Sequence, residues 1–234
     1  MAHVYAVGVG PGSSKYVTEI VKDVVLGCDI VIGYKYTLKT IESLLAGKEV
    51  HEITMKDQED AYQRVARTLG DKKLVVPFTG DVNFSESEVV DRLIEIFGEV
   101  QVIPGISAVQ VAASKARVPL DKSRVITMHV TTSIEEKKLE LQKALIDGYS
   151  VVLVPRPWPR IPEKHFMQSE IAKYLKAHGF DTASLKVHVF EFLTTDKETE
   201  FVGTVQDLEG REFSDLSVMV INQTKLESYI NFDD

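Results

Sequence analysis

The chain has 234 residues, 44% of them hydrophobic and 26% charged, with a formal net charge of −8 and one cysteine. That length carries one large domain or two small ones without covalent staples. The acid excess excludes a general nucleic-acid binder, and lone Cys28 excludes a disulfide framework and points to a reducing compartment. No stretch approaches the roughly 20 apolar residues of a membrane span, and "MAHVYAVGVG" lacks the pattern of a secretory leader. The expectation is a cytoplasmic protein with no membrane and no nucleic-acid partner.

The first element is a strand, Val4–Val7, that runs into Gly8, Gly10, Pro11 and Gly12. A glycine-rich turn after a strand is the usual opening of a phosphate-cradling loop. The dinucleotide pattern, however, needs glycine where Ser13 stands, and the Walker pattern needs Gly-Lys-Ser/Thr where Lys15 follows two serines. Neither phosphate code is met.

Further β-branched runs follow at Asp29–Gly33, Lys73–Thr79 and Val100–Pro104. Between them lie apolar stripes at helical spacing: Val17, Ile20, Val21, Val24 and Val25, then Val89, Val90, Leu93, Ile94 and Phe97. This alternation predicts an α/β fold with a mostly parallel sheet. "KARVPLDKSR" (115–124) breaks the pattern and reads as a link, giving domains at 1–115 and 120–234. The second half begins with "RVITMHVT", a helix over Ile134–Ile146, "YSVVLV" and a helix around Ser169–Ala177. It ends in "KVHVFEFL", "ETEFVGTV" and "LSVMVIN", strands without long helices between them, which predicts a mixed sheet.

Four strand ends carry glycine or proline: "GVGPG", "TGD", "PGIS" and "VPRPWP". Ligands of open α/β sheets bind at the carboxyl edge, where such loops gather. An isolated Gly-Asp or Pro-Gly is more often a plain turn; three at one sheet edge are harder to dismiss as turns alone. "VPRPWPRIPEKHF" supplies Arg156, Arg160, Lys164 and His165 around Trp158, and "GYKYTLK" supplies Lys35 and Lys39. Arginine suits carboxylates and an indole packs on flat rings, whereas a proline-stiffened surface loop is the plainer reading. None of the six histidines has metal-ligand spacing, so no protein-bound metal is expected.

"VGVGPGSSKYVT", "DIVIG", "TGDVNF" and "VIPGISAVQVAA", in that order, resemble the tetrapyrrole (corrin/porphyrin) methylase family, and "VFEFLTTDKETEFVGTVQDL" is similar to its carboxyl-terminal part. The resemblance implies two α/β domains with the active site in the cleft between them and S-adenosylmethionine as cofactor. It also implies a homodimer and a small-molecule corrinoid substrate, any cobalt arriving with that substrate. The short second half and "PGISAVQ" are most similar to the branch that methylates C5 of cobalt-precorrin-7 in cobalamin biosynthesis. A donor without phosphate explains a glycine loop without a phosphate code.

By resemblance, Gly8, Gly10, Pro11, Asp81, Phe84, Ser107, Ala108, Leu153, Val154, Pro155, Phe192 and Leu193 fall at cofactor positions. Arg156, Trp158 and Arg160 would hold the substrate. Asp81, His129 and Glu191 are the candidates for a base, each with a structural alternative as turn or strand residue. Two departures stand out: Val82 replaces the family's usual proline, and Val130 replaces a glycine. Other acceptors of the same fold, among them other precorrins, uroporphyrinogen and the protein substrate of diphthine synthase, remain open. So does a dinucleotide oxidoreductase using Asp29, about 20 residues beyond the glycines, as its ribose acid.

Overall fold

Strands that are apolar on both faces need cover on both faces, and the first half of the chain supplies it. The computed structural model describes residues 3–84, 87–130, 132–157 and 165–223. Its first sheet holds β1 (Val4–Gly8), β2 (Ile30–Tyr34), β3 (Glu49–Ile53), β4 (Leu74–Phe78) and β5 (Gln101–Ile103), all parallel, in the order β3-β2-β4-β1-β5. Alternate side chains enter opposite cores. Val4, Ala6, Ile32 and Val76 pack with Tyr62 of α3 (Gln58–Thr68) and Leu93 of α4 (Ser87–Phe97). Val7, Val31 and Val75 pack with Val21 and Val25 of α1 (Glu19–Leu26) and Leu38 of α2 (Lys35–Thr40).

From β1 the chain crosses to β2 on one side, and from β4 it crosses to β5 on the other. The carboxyl ends of neighbouring β1 and β4 therefore form the switch point at which α/β sheets bind ligands. Two stripe residues differ from expectation: Ile20 is 57% exposed and Ile94 44% exposed, each at the margin of its helix face. The edge strand β3, "EVHEI", escaped the sequence reading because its charges hide the alternation.

The chain divides into two units, residues 1–111 with 192–198, and residues 112–191 with 199–234. The second unit has a mixed sheet, β11-β10-β12-β7-β6, in which β6 (Ser123–Thr127) and β7 (Ser150–Val154) are parallel. β10 (Lys186–Glu191), β11 (Thr199–Thr204) and β12 (Ser217–Asn222) add antiparallel pairings. A two-residue ladder, β8 (Arg156–Pro157) with β9 (His165–Phe166), follows β7. Its core joins Ile126, Leu153, Val189 and Met219 to Leu141 of α6 (Glu135–Ile146) and Ile171 of α7 (Gln168–Ala177).

In the stretch read as a link, α5 (Ala108–Lys115) closes on left-handed Arg117, φ 54°. The amides of Arg117 and Val118 return to the carbonyls of Ser114 and Ala113, a Schellman closure. Among the described residues no helix is long and apolar enough to cross a membrane.

Candidate functional site

The loops after β1, β4 and β5 are stitched to one another at the carboxyl edge of the first sheet. Gly10 and Gly80 exchange both backbone bonds, N–H to carbonyl at 3.2 and 2.8 Å, and the Val9 amide donates to the Phe78 carbonyl at 2.9 Å. Gly8, Gly80 and Gly105 meet so closely that a β-carbon on Gly8 would lie 2.6 Å from the Gly105 nitrogen and from the Gly80 oxygen. Gly10 has φ +81°, and a β-carbon there would lie 2.9 Å from the Tyr16 carbonyl. The glycines thus serve loop-on-loop packing.

Asp81 is the tie between the β4 and β5 loops. Its Oδ2 accepts the Gly105 amide and its Oδ1 the Asn83 amide, each at 2.8 Å. The neighbouring Val82 is 1% exposed and belongs to the first core. A carboxylate clamp and a buried side chain fix the turn here, where the family usually has proline. Phe84 ends the turn half-buried, its amide donating to the Asp81 carbonyl. Ser107 caps α5: its Oγ accepts the Val109 amide at 3.3 Å, while Gln110 Oε1 accepts the Ser107 amide at 2.7 Å. Ser-Ala-Val-Gln is a capping box, so "PGISAVQ" spends its glutamine on the helix start that presents Ala108.

A fourth loop joins the same unit. Residues 192–198 connect β10 to β11, yet they pack with the first unit. Thr194 Oγ1 accepts the Ser13 amide at 3.0 Å, and Glu198 accepts the Thr194 amide at 2.6 Å. Phe192 and Thr194 are held left-handed at φ 49° and 68°, unusual for non-glycine residues and characteristic of functional loops. Leu193 between them is buried. Nothing in "FLTTDKE" announces this latch, because it depends on a partner 181 positions away.

In the second unit, Leu153, Val154 and Pro155 close β7, with Leu153 in the core and the Val154 carbonyl accepting the Met128 amide at 2.8 Å. His129 follows on from β6 and keeps solvent access, while the protein around it removes part of its hydration. That desolvation holds its pKa below the ordinary imidazole value, while the Asp215 carboxylate opposes the shift. Val130 has no positive φ and leans on the second core, so the position imposes no need for glycine. Glu191 is a clamp, accepting the Ser214 amide at 2.6 Å and the Thr199 hydroxyl at 3.0 Å.

Arg156 is 3% exposed and donates from Nη2 to the Thr132 carbonyl at 2.8 Å, so its guanidinium is part of the unit's interior. Trp158, Arg160 and Lys164 lie outside the described residues. Asp29 precedes β2, at the amino edge of the sheet and opposite the glycine loop, where it accepts the Lys73 amide at 2.8 Å. This overturns the dinucleotide reading, since a ribose acid belongs at the carboxyl end of that strand.

Several amides of these loops are engaged within the protein: those of Val9, Gly10, Ser13, Gly80, Gly105 and Ser107. Among the described residues no cluster of His, Cys, Asp and Glu is arranged to hold a metal ion.

The model of the tetrapyrrole (corrin/porphyrin) methylases matches residues 3–209, and the chain belongs to that family, whose methyl donor is S-adenosylmethionine. Among curated relatives it is 27% identical over 223 residues to a probable cobalt-precorrin-7 C(5)-methyltransferase of Methanocaldococcus jannaschii, covering 93% of this chain and 96% of that one. It is 24% identical to a cobalt-factor III methyltransferase of Priestia megaterium, covering 95% of this chain and 42% of that one. Among solved structures, the methyltransferase CobJ superposes with a TM-score of 0.74 at 18% identity, over 93% of this chain and 92% of that one. Precorrin-6Y methylase from Archaeoglobus fulgidus superposes with a TM-score of 0.67, also at 18% identity, over 95% and 99%. These likenesses establish the fold.

Proposed function

We propose that the protein transfers a methyl group from S-adenosylmethionine to C5 of cobalt-precorrin-7 in cobalamin biosynthesis, working as a cytoplasmic homodimer. The observation that carries the donor assignment is the family match over residues 3–209, joined to a glycine loop that meets neither phosphate code. The full-length likeness to the Methanocaldococcus jannaschii protein supports the acceptor.

The donor supplies a methyl already activated on a sulfonium, so the protein's task is positioning, for which alignment is worth up to about 7–11 kcal/mol. Gly8, Gly10, Pro11 and Phe84 border the donor seat, and Ser107 and Ala108 present a helix start to it. Leu193 is fixed beside them by the Thr194 latch. By family resemblance, Leu153, Val154 and Pro155 are donor contacts as well. Asp81 acts by holding two loops together, because both of its oxygens already accept amides. His129 is the base for a ring-carbon proton: its lowered pKa keeps the imidazole neutral and able to accept one near pH 7.

Calorimetric titration with S-adenosylmethionine and with NAD tests the donor. Binding of the first alone is expected; binding of NAD alone sinks the reading. Light scattering tests the dimer, and the monomer mass of 26.2 kDa at micromolar concentration would contradict it.

A further inference from the structure

Arg156 is buried and engaged with the Thr132 carbonyl, whereas a second group of cations stands exposed. We propose that α2 and the loop between β3 and α3 form the docking surface for a carboxylate-fringed macrocycle, with Lys35, Lys39 and Lys56 pairing with its carboxylates and Tyr36 and Met55 lying against its ring. This rests on the corrinoid reading above and names the part of the protein that recognises that substrate.

The surface stands at the right edge. β1, β2 and β3 are parallel, so the segments after β2 and β3 emerge on the side of the glycine loop. Hydrogen bonds make it continuous with that loop. Thr40 Oγ1, at the end of α2, lies 3.2 Å from the Gly12 carbonyl. The Tyr34 hydroxyl reaches Gln58 Oε1 at 2.5 Å and Met55 Sδ at 3.1 Å, which ties the β3–α3 loop to the end of β2.

Its side chains point to an anionic, partly apolar ligand. Lys35 and Lys39 are one helical turn apart and exposed, as is Lys56. Lys22, Lys72 and Lys143 hold carboxylates, whereas these three, like Lys15, Lys73, Lys173, Lys186 and Lys197, have no carboxylate partner among the described residues. Asp57, the acid in the same loop, turns inward to accept the Thr54 amide and hydroxyl at 2.6 and 2.8 Å. In a protein of net charge −8, three such cations on two adjoining segments make a local field that attracts acids. Met55 is 74% exposed and Tyr36 68%, two large apolar side chains left in water beside those cations. An aromatic ring and a thioether suit the face of a flat macrocycle.

The experiment uses cobyrinic acid, a corrin with free carboxylates, and its heptamethyl ester, titrated into the full chain at low salt. S-adenosylhomocysteine is titrated separately. Replacing the trio (Lys35→Ala, Lys39→Ala, Lys56→Ala) is expected to weaken cobyrinic acid binding by at least about tenfold. Affinity for the ester and for S-adenosylhomocysteine should stay within about twofold. The matching arginine trio should restore binding of the acid, which a merely unfolded surface would not do. A control pair on α6, Lys137→Ala with Lys143→Ala, should leave cobyrinic acid binding unchanged. Retained affinity in the alanine trio, or equal loss in the control, overturns the proposal. A wild type that binds the acid through these lysines but takes no S-adenosylhomocysteine keeps the surface and sinks the methyltransferase reading.

Discussion

Replacing Asp81 with asparagine separates positioning from proton transfer. The wild-type carboxylate accepts two backbone amides from two loops, Asn83 and Gly105, each at 2.8 Å. An asparagine keeps one acceptor oxygen and turns an NH2 group toward the other amide, so donor faces donor. The Gly105 bond is partly buried and charge-assisted, worth about 1.5–3 kcal/mol, and the exposed Asn83 bond adds about 0.5 kcal/mol. Losing the first and keeping the second gives an expected destabilisation of about 2 kcal/mol. The assay is urea unfolding monitored at the first unit, joined to amide hydrogen exchange at Gly105, whose protection should fall about thirtyfold for that loss. Affinity for S-adenosylhomocysteine should fall with it. Wild-type stability, wild-type exchange at Gly105 and wild-type donor affinity, together with abolished turnover, would refute the clamp and make Asp81 the base.

Thr194→Val should cost about 0.5–1.5 kcal/mol and weaken donor binding, because Ser13 loses its acceptor, while Thr194→Ser should retain both; thermal melts and calorimetry on the pair decide it. Leu93→Ala, in a fully buried α4 position, should destabilise the protein by about 2–5 kcal/mol in urea unfolding. The folded state resists protonation of His129, so the unfolded chain takes up that proton first as pH falls below about 6.5. Stability should therefore drop between pH 7.5 and 5.5 more steeply in wild type than in His129→Asn, and equal slopes would remove His129 from the account.

The fold was legible wherever a local pattern encodes it. Buried strands such as "LVVPF" read as continuous apolar runs, and Val21 with Val25 marked the inner face of α1. β3 was not legible, since an edge strand tolerates the charges that mask its alternation. In the site, turn glycines and Asp81 were visible as residue types at strand ends. Their partners were not, because the Asp81–Gly105 and Ser13–Thr194 bonds join residues 24 and 181 positions apart. The burial of Arg156 was hidden for the same reason: an arginine in a proline-rich loop carries no local sign that a carbonyl 24 residues earlier will draw it inside.

The account stands most directly on methyl transfer itself. Purified protein mixed in a single turnover with S-adenosylmethionine carrying a 13C methyl and with cobalt-precorrin-7 should give a corrinoid heavier by one labelled methyl, with the label at C5 by NMR. An untouched corrinoid, in a preparation that binds the donor and methylates another precorrin or a protein instead, would contradict the named substrate and leave the family standing.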